Sequence, residues 1–244
     1  MSKLANALFN PKSIALIGAS SDGKKNAGRP QRYLTEHGYK GQIYPVNPFH
    51  DTIQGLPAYK SVKDIPGPID HAFIMTPFET VANILIECAA KGASVATIYS
   101  DGFAEVGAEG QARQFEIVRI AKEYGIRLVG PNCMGIINTQ NGMVLSVAAV
   151  FEMPELMSGR FSVISQSGTI LGALISRGAA RGIGFSKLVS VGNESDLSVG
   201  EVLDLMIDDD GTDAILLFLE GIRNAESIAE AAVRAHKKKK PILA

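Results

Sequence analysis

The chain contains no tryptophan, two cysteines (Cys88 and Cys133) and four histidines, and its 24 basic residues nearly cancel its 25 acidic ones. Each shortage excludes something. A net charge of −1 leaves no basic field to attract nucleic acid or an anionic membrane surface. No apolar run approaches the roughly 20 residues needed to span a bilayer. The opening MSKLANALFNPKS lacks the apolar core and cleavage site of a signal peptide. Two cysteines make neither a disulfide framework nor a zinc spacing, so a reducing cytoplasm is the expected setting. His37, His50, His71 and His236 pair with no Ser or Cys in a recognisable order, which leaves triad chemistry unsupported. The missing tryptophan excludes nothing.

What is present fits a folded globular protein: 244 residues, 46% hydrophobic and 20% charged, enough for one large or two ordinary domains. Apolar, β-rich runs alternate with helical patterns from end to end. Strands are expected at Ser13–Ile17, Gln42–Val46, His71–Thr76, Ser94–Tyr99 and Arg127–Val129, and helices near Gly28–His37, Phe78–Lys91 and Glu109–Tyr124. Continuous apolar strands separated by helices imply a parallel sheet covered on both faces, with every strand ending on one ligand-binding rim. A stretch from Thr139 to Ser158, with Asn141-Gly142 and Met153-Pro154, reads as a loop and sets the boundary between domains 1–139 and 140–244. A second, smaller parallel α/β unit follows. Its strands are expected at Arg160–Ile164, Phe185–Val191, Ala214–Leu219 and Pro241–Leu243, and its helices at Gly168–Arg181, Val199–Ile207 and Ala225–Lys237.

The residues after each strand carry the functional signal. KSIALIGASSDG runs from a buried strand into Gly18, Ala19, Ser20, Ser21 and Gly23, followed by basic, helix-compatible sequence (Lys24, Lys25, Arg29, Arg32). This approaches the dinucleotide fingerprint G-x-G-x-x-G, with Ser20 in place of the middle glycine; a strand breaking into a helix N-terminus is either a phosphate site or an ordinary strand–helix turn. A nicotinamide dinucleotide would call for an acid after the second strand. That position is Asn47, between Pro45 and Pro48, and it is either a turn former or a ligand contact. The remaining ends, Thr76-Pro77, Ser100-Asp101-Gly102 and Gly130-Pro131-Asn132-Cys133, are small, polar or rigid and supply no base. They suit an extended ligand held by backbone and amides. Cys133 reads as structural rather than nucleophilic.

Ser165-Gln166-Ser167-Gly168-Thr169 repeats the opening logic in the second domain, either as a plain N-cap or as a second anion site. Val191-Gly192-Asn193-Glu194 follows another strand and could close the same pocket, and Glu220 ends the apolar AILLFLE run. Glu220 is either a solvated terminus or a carboxylate that orients a partner. Asp208-Asp209-Asp210 reads as a solvated turn, Lys237–Lys240 as cations closing a helix, and no metal site is assigned.

Eight stretches in register, FNPKSIALIGAS, IYPVNP, DHAFIMTP, SDGFAE, GPNCMGIIN, SVISQSGT, VGNESDLSVGEVLDLMIDDDGT and LFLEGIRN, make the chain resemble the NDP-forming acyl-CoA synthetases, relatives of the succinyl-CoA synthetase α subunit. The resemblance implies a Rossmann-like CoA-binding domain followed by a flavodoxin-like one. It implies CoA phosphates at Gly18–Ser21 and the nucleotide end at Pro45, Asn47 and Pro48. Pantetheine would follow Thr76, Pro77, Ser100 and Gly102, with the thiol end near Asn132 and Cys133. Ser165, Gln166, Ser167, Gly168, Thr169 and Asn193 resemble the phosphate cradle, and Glu220 the carboxylate that fixes a phosphorylated histidine. That histidine should lie shortly beyond the last strand, and the sequence ends at Ala244. The ATP-grasp part that handles ATP, ADP and Mg²⁺ is expected on a partner domain or subunit. The resemblance therefore implies a CoA-binding portion of an acid–thiol ligase, within an oligomer, that does not turn over alone. The alternative it leaves is a non-catalytic CoA-sensing module, as in synthetase-like lysine acetyltransferases.

Overall fold

Strand β1 (Ser13–Ile17) is buried along its whole length. Ile14 and Leu16 pack into one apolar cluster and Ala15 and Ile17 into another, as the twofold alternation of a strand requires. The computed structural model describes residues 2–153 and 156–244. Helix α1 (Lys3–Phe9) comes first, then β1, α2 (Arg29–Glu36), β2 (Gln42–Val46), a small hairpin of β3 (Thr52–Ile53) and β4 (Leu56–Pro57), β5 (His71–Ile74), α3 (Phe78–Ala90), β6 (Val95–Ile98), α4 (Ala108–Tyr124) and β7 (Arg127–Val129). The five long strands form one parallel sheet in the order β2-β1-β5-β6-β7. In this doubly wound order the chain reverses direction between β1 and β5, and the crevice at their C-terminal ends is the ligand position.

The second sheet contains β8 (Gly135–Asn138), β9 (Met143–Ser146), β10 (Ser158–Ser165), β11 (Phe185–Ser190), β12 (Ala214–Phe218) and β13 (Ile242–Leu243), in the order β13-β12-β10-β11-β8-β9. Helices α5 (Gly168–Ala179), α6 (Val199–Ile207) and α7 (Ala225–Lys237) connect its parallel strands. Its reversal lies between β10 and β12, so the two domains repeat one topological device.

Four expectations need correction. The second sheet is mixed: β8 pairs antiparallel with β11 and β9 antiparallel with β8. Part of the stretch read as loop is thus a hairpin around Asn141-Gly142, and β8, placed in the first domain by the boundary at 139, hydrogen-bonds into the second sheet. Pro154, used as a loop marker, lies outside the described residues. The segment read as helix-compatible from Lys24 is turn as far as Gly28; α2 starts at Arg29 with Gly28 as its N-cap, within the helix expected near Gly28–His37. Finally, the Asp208–Asp210 turn is not solvated throughout. Asp209 accepts from Lys187 Nζ at 2.6 Å, and both side chains are buried. Burial raises the cost of the charge on Asp209, but the hydrogen bonds from Lys187 and Thr212 outweigh it and hold the carboxyl below its ordinary range.

The domains interlock. Tyr33 of α2 is fully buried, donates to the Ala148 carbonyl at 3.2 Å and meets the Phe151 ring edge-on at 6.2 Å. One apolar cluster runs from Phe9, Leu16 and Phe73 through Ile136 and Leu145 to Val189 and Leu203, joining both sheets. The other face of the first sheet packs under α3 and α4 through Ala72, Leu85, Ile117 and Ile120.

Candidate functional site

At the first reversal, Gly18 has φ +85°, and a Cβ there would sit 3.0 Å from Thr76 Cγ2 and 3.2 Å from the Met75 carbonyl carbon. Only glycine lets β1 and β5 part this closely at the rim. The loop after it is pinned from inside. Asn47 Nδ2 donates to the Ala19 carbonyl at 2.9 Å, and Gln54 Nε2 donates to the carbonyls of Ser20 and Gly28, both at 2.9 Å. The Ser20 hydroxyl accepts from the Asp22 N–H at 3.2 Å, and Ser21 is exposed. Asn47 is therefore both turn former and loop holder, because its Oδ1 also accepts from the Phe49 N–H at 2.9 Å. Pro48 is exposed on the rim, whereas Pro45 lies buried within β2 opposite Leu16. Arg29 and Arg32, read as basic flank, both reach Glu152, at 3.3 and 2.8 Å.

Along the same rim, Thr76 Oγ1 accepts from Thr80 Oγ1 at 2.7 Å, and Pro77 precedes α3. Ser100 is buried and donates its hydroxyl to the Thr76 carbonyl, so it ties two strand ends together instead of facing outward. Cys133 is wholly buried, donates its thiol to the Ser190 carbonyl at 2.8 Å, and burial pushes its pKa up to about 12. Its side chain is a structural element between the domains and does not open onto the rim.

The two domains meet around a cavity of about 550 Å³. Ala104, Glu105, Gln111 and Asn132 come to it from one side, and Gln166, Gly192, Asn193, Glu220 and Arg223 from the other. Gly192 brings them together: a Cβ there would lie 2.2 Å from the Pro131 carbonyl oxygen. Of the residues singled out in the sequence, Asn132, Gln166, Asn193 and Glu220 line this space.

Gln166 clamps the second reversal. Its Oε1 accepts from the N–H groups of Glu220 at 2.6 Å and Gly221 at 3.0 Å, while its Nε2 donates to the Gly221 carbonyl at 2.9 Å and to Glu194 Oε2 at 2.8 Å. Glu194 in turn accepts from the Val199 N–H at 2.7 Å at the start of α6, and Arg223 Nε stands 3.7 Å away. Ser165 is buried, with its hydroxyl committed to the Ser167 carbonyl at 2.7 Å, so it shapes the loop. Ser167 caps α5, and Gly168 and the exposed Thr169 open its first turn, where the dipole favours an anion.

Glu105 was not singled out. It bridges the domains by accepting from Gly102 N–H at 2.5 Å, from Phe103 N–H at 2.9 Å and from Asn193 Nδ2. Burial works against its charge, but these donors win and keep its carboxyl below the ordinary glutamate range. Its signal was an acid three residues after a rim glycine. Gln54 had no comparable signal, since it acts across a hairpin too short to read.

Residues 12–139 match the CoA binding domain model, and residues 158–244 match the succinyl-CoA ligase like flavodoxin domain. The chain is 40% identical over 236 residues to the α subunit of acetate–CoA ligase [ADP-forming] II from Pyrococcus furiosus, covering 97% of this chain and 50% of that one. It is 37% identical to the 4-hydroxybutyrate–CoA ligase [ADP-forming] of Nitrosopumilus maritimus, covering 97% of this chain and 34% of that one. Among solved structures, the dinucleotide forming acetyl-coenzyme A synthetase 1 of Ca. Korarchaeum cryptofilum, in complex with phosphate and ADP, matches with a TM-score of 0.91 at 34% identity. That match covers 99% of this chain and 51% of that chain. The chain thus spans from a third to about half the length of these relatives. It belongs to the CoA binding domain family, continued by a succinyl-CoA ligase like flavodoxin domain, and is homologous to the α subunits of ADP-forming acyl-CoA ligases.

Proposed function

We propose that this chain is the coenzyme- and phosphate-binding portion of an NDP-forming acid–thiol ligase. Coenzyme A lies along the rim of the first sheet with its phosphates at the Gly18–Ser21 loop and its nucleotide end over Asn47 and Pro48. Pantetheine passes Thr76, Pro77 and Gly102, and the thiol arrives in the interdomain cavity beside Asn132. The observation that carries the reading is that Glu105 and Asn132, from loops that follow strands of the first sheet, line one cavity with Gln166 and Glu220 of the second reversal.

Next to the cavity, directly after Gln166, the first turn of α5, Ser167 to Thr169, holds the phosphoryl group being transferred. Preorganised donors there stabilise the spread charge of that transfer without reorganising. Glu220 stands free at its edge, with its backbone fixed by Gln166, and orients the group that receives the phosphoryl. Nucleotide and Mg²⁺ are handled by an ATP-grasp partner in an oligomer, the acid substrate meets the chain at the cavity, and the two free cysteines suit a reducing cytoplasm.

Hydrogen exchange separates the two halves of this reading. CoA should slow exchange in the loops at 18–23, 47–50 and 100–105, and inorganic phosphate should slow it at 166–170. Protection by CoA confined to other loops would contradict the placement.

A further inference from the structure

Phe49 is 86% exposed, the most exposed large apolar side chain among the described residues. One bare aromatic is ordinary on a protein surface. This one differs in where it stands and how it is held. It follows β2, two residues after Asn47, whose amide is bonded to the Gly18 loop. Its own N–H is fixed to Asn47 Oδ1 at 2.9 Å, and the turn is anchored on the far side by Ala58 N–H donating to the Asp51 carbonyl at 2.9 Å and Lys60 pairing with Asp51 at 2.7 Å. The backbone is tied by these bonds while the ring is bare. The exposed Lys24 and Lys25 lie on the neighbouring Gly18 loop, so cations for phosphate and a flat apolar surface share one end of the rim.

We propose that Phe49 is the stacking platform for the purine base of the coenzyme, and that it sets the preference for the whole nucleotide over its pantetheine half. The proposal rests on the coenzyme-binding reading above. The ring is presented without a partner because its partner is the ligand: a π-face accepts a planar base, and fixing the loop beforehand removes the ordering cost of the contact.

The absence of tryptophan makes the test direct, because Phe49→Trp would be the chain's sole indole. CoA should quench its fluorescence, and 4′-phosphopantetheine, which lacks the base, should leave it unchanged. By calorimetry, Phe49→Ala should weaken CoA roughly 5- to 150-fold, the range expected for one base–aromatic stack, with 4′-phosphopantetheine affinity unaltered. If CoA binds the native chain but Phe49→Ala binds it equally well and Phe49→Trp is not quenched, the platform is wrong and the coenzyme reading stands. If the native chain gives no heat with CoA, both fall.

Discussion

Gly18 and Gln166 each hold a strand reversal together, and each responds to a single atom. Gly18→Ala forces a Cβ into a left-handed backbone position already 3.0 Å from Thr76 Cγ2. A loss of about 1–3 kcal/mol is expected by urea denaturation, together with weakened CoA binding, because the loop must shift to make room. Gln166→Glu exchanges a donor for a second carboxylate facing Glu194 at the 2.8 Å contact. Stability near neutral pH should fall by roughly 2 kcal/mol, because Glu194 loses a donor and meets a like charge. An unchanged denaturation midpoint would show that the clamp contributes nothing.

Residues of this kind were legible to different degrees. Gly18 and Asn47 could be read because a strand end followed by glycine, or by Asn-Pro, restricts the backbone whatever the surroundings. Ser165 was placed on the correct loop but given an outward role, and Cys133, read from the residues as structural, was turned toward the thiol end only by the resemblance. Position after a strand does not say which way a side chain turns, and both turn inward. Glu105 escaped because its role depends on Asn193, far away in sequence, coming within reach.

Among the elements, α1 and the first sheet enclose His71, whose Nδ1 lies 2.9 Å from the Ala7 carbonyl and whose Nε2 lies 2.8 Å from Thr97 Oγ1. Burial lowers its pKa to about 4. Between about pH 4 and 6.5 the unfolded chain therefore carries a proton that the native chain refuses. Stability from this group is complete above pH 6.5 and falls by up to about 3 kcal/mol as the pH drops to 4. His71→Gln, which keeps a donor but cannot titrate, should flatten that slope in denaturation measured across the range. An identical slope in the variant would assign it elsewhere. The elements themselves were largely visible, since apolar runs buried on both faces leave few alternatives. The β8–β9 hairpin was missed although Asn141-Gly142 marked its turn: four-residue strands next to a domain boundary are too short for periodicity to separate from loop.

For the molecule as a whole, the interlocking of α2 with the second domain predicts one cooperative unfolding transition. Tyr33→Ala removes a fully buried ring from that junction and should cost about 3–5 kcal/mol. Glu152→Ala removes only partly exposed pairs with Arg29 and Arg32 and should cost less than about 1 kcal/mol. Two separated transitions in the native chain would show that the junction does not couple the domains.

The central claim is that the loops at one edge of the first sheet hold coenzyme A. Isothermal titration of the chain with CoA tests it most directly. The account predicts a single class of site that dephospho-CoA competes for and NAD does not. No heat and no competition, or displacement by NAD, would contradict it.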